Sequence, residues 1–372
     1  MKKLIIILCT ILTVMSVSSF KVKAEDNGMT YDFSAVYDSL SDEVRQSLDN
    51  IGADSADANK LNDISFQSVI DEIARTASQS AKSPLKGLIS IIGILLLCSL
   101  LSTYKNTLSS NVSATINIVS SLCITCAVAM PAIAAINNAA SVIEVSTNLM
   151  LAYIPIITAV MAASGQAVSS GTYYAAMIAA GEGVGQLSSK VIVPFLDMFL
   201  GFSITSSITP NVNLSGFTNI IAKIIKWILS FSMTVFTSIL TIKQLISNSL
   251  DSVSGRAVRF ALTSFVPVVG AALSDAYKTV QGSVSLLKSG MGIFVIIAVA
   301  FVYLPVIIEC FMWVISLWIG KAAADVLSLP QTSKLLQSIS TVFTTLIAIL
   351  LCIMSIYLIS SAVVLIIGGG SG

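Results

Sequence analysis

Residues 291–318, MGIFVIIAVAFVYLPVIIECFMWVISLW, are the most informative segment for the fold, because Glu309 is their only charged side chain. A helix needs about 20 predominantly apolar residues to cross a bilayer, and this stretch exceeds that length. Over the whole chain of 372 residues, 55% are hydrophobic and 10% are charged, which would leave large apolar patches exposed in water. The sequence therefore predicts an all-α, polytopic helical membrane protein.

Other stretches on both sides of this one have the same apolar character. Strong membrane spans are predicted at 88–104, 112–136, 139–163, 191–208, 222–242, 291–318 and 336–367. Two weaker segments, 171–187 and 257–273, are rich in Gly and Ala and contain charge or proline, so we interpret them as candidates for broken or re-entrant helices. The membrane domain is expected to occupy residues 85–367 with seven to nine spans, followed by a short tail at 368–372.

The chain begins with the pattern of an export signal. A positively charged start and an apolar stretch at 4–17 precede a small-residue cleavage site at Val22-Lys23-Ala24. We predict a signal peptide at residues 1–24; the alternative is an uncleaved first anchor, because two lysines lie close to the cut. Under both hypotheses the region that follows lies outside the cytoplasm.

Residues 25–84 form a small acidic region ahead of the membrane domain. Twelve of the nineteen acidic residues fall between Glu25 and Glu72. Apolar residues recur at three- and four-residue steps from Phe33 to Ile51 and again from Leu61 to Ala77, which predicts two amphipathic helices. Their apolar faces are expected either to dock to a partner or to cover the membrane domain of the same chain.

Several classes of enzyme are excluded by composition. The chain contains no histidine, so His-based zinc sites and Ser/His or Cys/His catalysis are ruled out. It also lacks the Gly-rich loop with Lys-Ser/Thr that binds nucleotide phosphates. Cys123 and Cys126 have the spacing of a redox or metal pair, but their apolar flanks favour buried thiols with a packing role. We therefore predict neither an enzyme nor a cofactor, and a partner must supply any energy that is needed.

Two similar segments indicate an internal duplication within the membrane domain. Tyr153–Ala159 and Phe265–Ala271 share the order aromatic, apolar, Pro, apolar, apolar, any residue, Ala, at an offset of 112 residues. We predict repeats at 112–208 and 222–320, and the alternative is a chance similarity between apolar segments. Repeats with paired interrupted helices are how many transporters build a site at the bilayer midplane.

The most polar face predicted inside the membrane lies around residue 144. Asn137, Ser141, Glu144 and Asn148 follow one another at steps of four, three and four, which places them on one face of a helix. Lipid does not solvate such a face. It is expected to contact protein, to line a path for water, or to lie in the membrane interface.

Other residues in the predicted spans are candidates for a conduit or for packing. They are Pro155, Glu182, Asp197, Pro267 and Glu309. Ionisable groups inside a membrane mark functional sites by default. For Glu182 the alternative is a local partner such as Lys190, because small residues around it are usually packing devices.

Three motifs in the second half of the chain give it a family likeness. They are Gly255-Arg-Ala-Val-Arg-Phe260, Phe265-Val-Pro-Val-Val-Gly-Ala-Ala-Leu-Ser-Asp-Ala276 and Gly282-Ser-Val-Ser-Leu-Leu-Lys-Ser-Gly-Met-Gly292. With the signal sequence, the acidic helical region and the polytopic body, they make the chain resemble the stage III sporulation protein AE family of endospore-forming bacteria.

The resemblance implies a role that composition alone does not show. The family lies in the mother-cell membrane around the engulfed forespore, as one subunit of a channel or secretion-like complex that joins the two cells. The resemblance also implies a separate ATPase subunit as a partner and a need for the complex in late forespore gene expression. It implies no catalytic residue.

A stand-alone secondary transporter for a small solute is the alternative function, because repeats and midplane carboxylates are typical of such proteins. Membrane lipids and further copies of the chain are the other expected partners, and nucleic acid is not expected.

Overall fold

The structure, a computed structural model, describes residues 34–53, 61, 64–103, 110–208, 216–217, 220–241, 253 and 270–366. These residues are almost entirely helical, and they contain no strand. The helices are α1 (Ser34–Asp38), α2 (Asp42–Asn50), α3 (Phe66–Ser80), α4 (Lys82–Thr103), α5 (Ser110–Ala163), α6 (Ala167–Leu187), α7 (Val193–Ile208), α8 (Ile220–Thr241), α9 (Gly270–Val326) and α10 (Pro330–Ile366). A π-helical turn, Ser188–Ile192, connects α6 to α7.

The prediction of an all-α, polytopic membrane protein is confirmed. Five helical stretches of the described residues each contain a segment long and apolar enough to cross a bilayer: Phe66–Leu100, Leu122–Ala163, Ile220–Thr241, Gly290–Val326 and Pro330–Leu365. The signal peptide at 1–24 and the tail at 368–372 lie outside the described residues, as does most of the weak segment 257–273. The exported N-terminal region, the internal repeat and the number of spans stay predictions.

Helix α5 corrects the boundary that we predicted between two spans. The spans 112–136 and 139–163 belong to one continuous helix of 54 residues, which contains Pro131 and Pro155. At about 1.5 Å per residue this helix is roughly 81 Å long, well beyond the roughly 30 Å of a bilayer core. A membrane helix must satisfy its backbone hydrogen bonds within itself, so the polar pair Asn137-Asn138 does not end it.

The weak segment 171–187 is also more regular than we predicted. It lies within α6, which runs without interruption from Ala167 to Leu187. The irregular backbone comes later, in the π-helical turn at Ser188–Ile192. The Gly and Ala residues of α6 therefore do not break it, since apolar surroundings favour continued backbone pairing.

The centre of the fold is formed by α5, α9 and α10. Helix α10 packs along α9, and α5 lies against both. Their largest fully buried side chains are Trp313, Tyr153, Tyr303 and Tyr357, so aromatic rings fill much of the space between the three helices. Of these four rings, Tyr303 and Tyr357 have hydrogen-bond partners for their polar tips.

Helix α4 approaches this core closely. A Cβ atom added to Gly87 would overlap the indole ring of Trp313, and one added to Gly320 would lie 3.0 Å from the Cγ2 atom of Ile91. Trp313 in turn stacks on Phe343, with the ring centroids 5.8 Å apart. The two glycines therefore set the distance between α4 and α9.

The N-terminal region consists of shorter helices than we predicted. The single helix expected from Phe33 to Ile51 is divided into α1 and α2. The hydroxyl of Ser39 donates to the carbonyl of Val36 (2.7 Å) and Ser41 adopts an extended conformation at the start of α2, so the turn between them competes with the helix.

The apolar faces of these helices point in two directions. The side chains of Val36, Leu40 and Leu48 are buried in the core of the chain, so α1 and α2 cover its own membrane domain. In α3, by contrast, Phe66 is 67% exposed and Ile70 is 40% exposed, whereas Glu72 and Thr76 are buried. Part of the apolar face of α3 is therefore available to surroundings other than this chain.

Candidate functional site

The outer face of α5 is a stripe of exposed side chains that runs along most of the helix. Its members are Val119, Leu122, Cys126, Met130, Ile133, Asn137, Ser141, Glu144, Asn148 and Pro155. The first half of this outer face is apolar, and the part from Asn137 to Asn148 carries two amides, a hydroxyl and a carboxyl group. The four residues that we predicted on one face therefore share it, and that face is exposed.

The exposure of Glu144 limits what its surroundings can be. The described part of the chain does not bury any of the four polar side chains, so they do not serve the packing of that part. A carboxylate and two amides facing lipid tails would cost several kcal/mol, roughly 2.5–3.5 kcal/mol for the carboxylate alone. Beyond the described residues, the polar part of the outer face must therefore meet further protein, water or the membrane interface.

Asn138 connects this region to α9. It follows Asn137 in the sequence, and its side chain shares a hydrogen bond with the carboxyl group of Glu309, which is half-buried. Glu309 thus has a local partner from a helix that is 171 positions away in the chain. The position of Glu309 between α5 and α9 indicates a packing role. Asn138 was not predicted from the sequence.

The other predicted residues are not brought together with Glu144. Glu182 on α6 and Asp197 on α7 are exposed, and among the described residues no ion pair joins Glu182 to Lys190. Pro155 lies further along the outer face of α5. Pro267 lies outside the described residues, so its proposed relation to Pro155 stays a prediction.

The inner face of α5 holds polar groups of a different kind. The adjacent residues Ser146 and Thr147 are both buried, and each hydroxyl reaches a different helix. Ser146 Oγ shares a hydrogen bond of 2.7 Å with the hydroxyl of Tyr303 on α9, and Thr147 Oγ1 shares one of 2.8 Å with the hydroxyl of Tyr357 on α10. The hydroxyls of both tyrosines therefore find hydrogen-bond partners within one turn of α5.

Helix α6 extends this set of buried hydroxyl contacts. The hydroxyl of Tyr173 donates to the carbonyl of Ser360 on α10 (3.3 Å), and Ser170 Oγ donates to the carbonyl of Thr158 on α5 (2.7 Å). The hydroxyl of Tyr153 is buried and has no hydrogen-bond partner among the described residues. Hydrogen bonds between the helices thus tie α5, α6, α9 and α10 together.

These hydroxyl contacts were not predicted from the sequence. The available signal was Ser146, which follows Glu144 by two residues and so points to the opposite side of the same helix. The sequence gives no indication that Tyr303 and Tyr357 are the partners, because they lie 157 and 210 positions away.

The two cysteines that we interpreted as buried are exposed. Cys123 and Cys126 lie on the exposed side of α5, because the buried positions of that turn are Ile124 and Thr125. Within the ranges that the structure describes, no group of three or more Cys, Asp or Glu side chains is placed to hold a metal ion.

A second carboxyl group, Glu72 on α3, lies near the start of the membrane domain and has the opposite surroundings to Glu144. Its side chain is 4% exposed, and it accepts hydrogen bonds from Arg75 Nε (2.8 Å) and Asn50 Nδ2 (3.0 Å). The hydrogen bonds from Arg75 outweigh the effect of burial and lower the pKa of Glu72 to about 2. Charged residues continue from Glu72 to Lys86, so this part of α3 and α4 precedes the apolar span.

Comparison with known proteins confirms the family resemblance of the sequence. A family model described as stage III sporulation protein AE matches residues 54–368. The curated stage III sporulation protein AE of Bacillus subtilis (strain 168) is 28% identical over 159 residues, which is 43% of this chain and 40% of that protein. That alignment covers less than two thirds of the relative's own length. No solved structure matches the chain.

Proposed function

Because the chain belongs to the stage III sporulation protein AE family, we propose that it is a membrane subunit of a channel or secretion-like complex that connects the mother cell and the forespore. The family name assigns a role in sporulation, and the five apolar stretches make the chain a multi-pass membrane protein. In this proposal the complex is needed for late forespore gene expression, and the chain lies in the mother-cell membrane around the forespore.

The direction of the polar side chains on α5 is the observation that carries this proposal. Asn137, Glu144 and Asn148 point away from the described part of their own chain. A protein that works alone in a membrane buries such groups or turns them toward its own interior. An exposed polar face is typical of a subunit whose neighbours, or a water path between subunits, complete its surroundings.

The polar groups in the interior of the chain favour a subunit of a complex over a stand-alone transporter. A transporter for a small solute needs polar groups in its own centre that bind the solute and release it. In this chain the central hydroxyls of Ser146 and Thr147 already bond Tyr303 and Tyr357. We therefore place the path at the outer face of α5, between this chain and its neighbours or further copies of it.

The proposal assigns no catalysis to this chain. Energy for transport comes from a separate ATPase subunit, and this chain contributes the membrane part of the path. Glu144 is its central residue, because one carboxylate per subunit lining a water path favours cations and disfavours anions.

Substitution of the polar part of the outer face tests the proposal. In a spore-forming host in which this chain is the sole copy, the double variant Glu144→Leu/Asn148→Leu should abolish heat-resistant spores while the amount of protein and its co-purification with other subunits are unchanged. The matched control is Met130→Leu/Ile133→Leu, which changes the same face without changing its polarity. Normal spore yield in the Glu144 variant would contradict the proposal.

Reconstitution separates the proposed subunit from a transporter. The purified wild-type chain in liposomes should move no small solute by itself. Solute uptake by the chain alone, lost in the Glu144→Leu/Asn148→Leu variant, would instead support the stand-alone transporter.

A further inference from the structure

A cavity of about 480 Å³ lies between α6, α8 and α10, away from the outer face of α5. Its walls are the small residues of one side of α6, the apolar side chains of α8 from Leu229 to Leu240, and the turn of α10 at Cys352–Ile356. Ser232 and Cys352 are the exceptions to a hydrocarbon lining, and no charged residue of the described chain lines it. The volume is within the range of sites that bind small organic ligands.

The cavity opens at the surface of the chain along α8. Three of its lining residues on α8 are exposed at the surface of the chain: Phe231 at 58%, Ile239 at 45% and Val235 at 39%. The stretch of α8 from Leu229 to Leu240 is about 16 Å long at the rise of an α-helix. An apolar slot of this length, open at the surface of the chain along α8, is suited to a lipid acyl chain.

Two basic residues precede the slot along α8. Lys223 and Lys226 are exposed, and neither forms an ion pair with a described residue. Lys226 precedes Leu229, the first lining residue of α8, by one helical turn, which is about 4.5 Å along the axis. Trp227 beside them is 68% exposed, and the combination of Lys with Trp at a helix end is typical of the lipid headgroup level.

We propose that this cavity binds one anionic phospholipid, with an acyl chain in the slot between α6, α8 and α10 and the phosphate at Lys223 and Lys226. The apolar lining matches the acyl chain, and the two ammonium groups, which form no ion pair with a described residue, match the negative headgroup. A helix from a second copy would meet the apolar slot, but it would leave the two lysines without an anionic partner. The site is independent of the path proposed at α5.

Gly183 provides a way to fill the cavity without disturbing the fold. It lines the slot, and a Cβ atom added there would meet no atom within 4 Å. Gly171 lies on the same helix and has equally open space, but it does not line the slot. Gly183→Leu and Gly171→Leu are therefore a matched pair, because both add the same side chain to exposed positions of α6.

Native mass spectrometry of the purified full chain, incubated with phosphatidylglycerol in a mild detergent, tests the proposal. The wild type and Gly171→Leu should each retain one phosphatidylglycerol, and Gly183→Leu should retain none. Lys223→Gln/Lys226→Gln should weaken binding about tenfold or more, whereas Lys321→Gln/Lys334→Gln should leave it unchanged. Equal unfolding temperatures of the variants show that folding is intact.

Three outcomes would overturn the proposal. Retention by Gly183→Leu equal to that by Gly171→Leu would place the lipid elsewhere. Binding that is unaffected by Lys223→Gln/Lys226→Gln would contradict the proposed headgroup site. A dimer without bound lipid that dissociates in Gly183→Leu would show that a second copy of the chain fills the cavity.

Discussion

The two faces of α5 hold polar side chains under opposite conditions. On the inner face, the hydroxyls of Ser146 and Thr147 are buried and each meets a tyrosine hydroxyl at 2.7–2.8 Å. On the outer face, Asn137, Glu144 and Asn148 are exposed and have no such partner within the described chain. The inner groups serve the stability of this chain, and the outer groups serve what surrounds it.

Removal of the inner hydroxyls is expected to cause the largest loss of stability. Ser146→Ala/Thr147→Val keeps the shape of both side chains but leaves the hydroxyls of Tyr303 and Tyr357 buried without partners. An unsatisfied buried hydroxyl costs about 1–3 kcal/mol, so we expect a total loss of about 2–4 kcal/mol. The unfolding temperature of the purified protein in detergent should fall clearly. An unchanged temperature would mean that the two tyrosines find other partners.

The carboxyl group of Glu72 extends the comparison from hydroxyls to charges. Its pKa is lowered from 4.5 to about 2 by Arg75, so its charged form stabilises the folded chain. This contribution is complete above about pH 4.5 and is lost as the pH falls toward 2. The stability difference between wild type and Glu72→Gln should therefore be constant, at about 2 kcal/mol, above pH 5 and should shrink in acid.

Variants of Arg75 provide the control for this pH dependence. Arg75→Gln should remove most of the same contribution, and the double variant with Glu72→Gln should cost little more than either single one. A stability difference that grows as the pH falls would contradict the assignment of a lowered pKa.

A double-mutant cycle measures one inner contact by itself. Thr147→Val, Tyr357→Phe and the double variant should give a coupling energy of about 1 kcal/mol, since hydrogen bonds between membrane helices are worth roughly 0.6–2 kcal/mol. The measurement is again the unfolding temperature. Coupling near zero would reduce the inner face to a packing surface.

The smallest effect on stability is expected on the outer face. Ser141→Val should change the stability of the isolated chain by less than about 0.5 kcal/mol, because Ser141 is exposed and lies away from the packed core. The same unfolding assay provides the measurement. A loss as large as that of Ser146→Ala/Thr147→Val would show that both faces serve the fold and would remove the distinction.

The sequence was sufficient for the fold class and for the outer face, because both depend on local patterns. Apolar length predicts membrane helices, and steps of three and four place Asn137, Ser141, Glu144 and Asn148 on one face. Local patterns also led to two wrong predictions. Asn137-Asn138 looked like a boundary between spans, and apolar flanks suggested that Cys123 and Cys126 were buried.

The contacts that hold the candidate site in place could not be predicted, because they join distant parts of the chain. Asn138 meets Glu309, and Thr147 meets Tyr357, across 171 and 210 positions. Which side of a membrane helix faces the core depends on the helices packed around it, and hydropathy along one helix does not contain that information.

The adjacency of Ser146 and Thr147 has a mechanical consequence. One turn of α5 is fastened to α9 on one side and to α10 on the other, so α5 cannot slide or rotate past either helix without breaking both bonds at once. A one-turn slip would be about 5.4 Å, twice the length of these contacts. A movement that opens or closes the outer face of α5 therefore keeps both bonds only if α5, α9 and α10 move together.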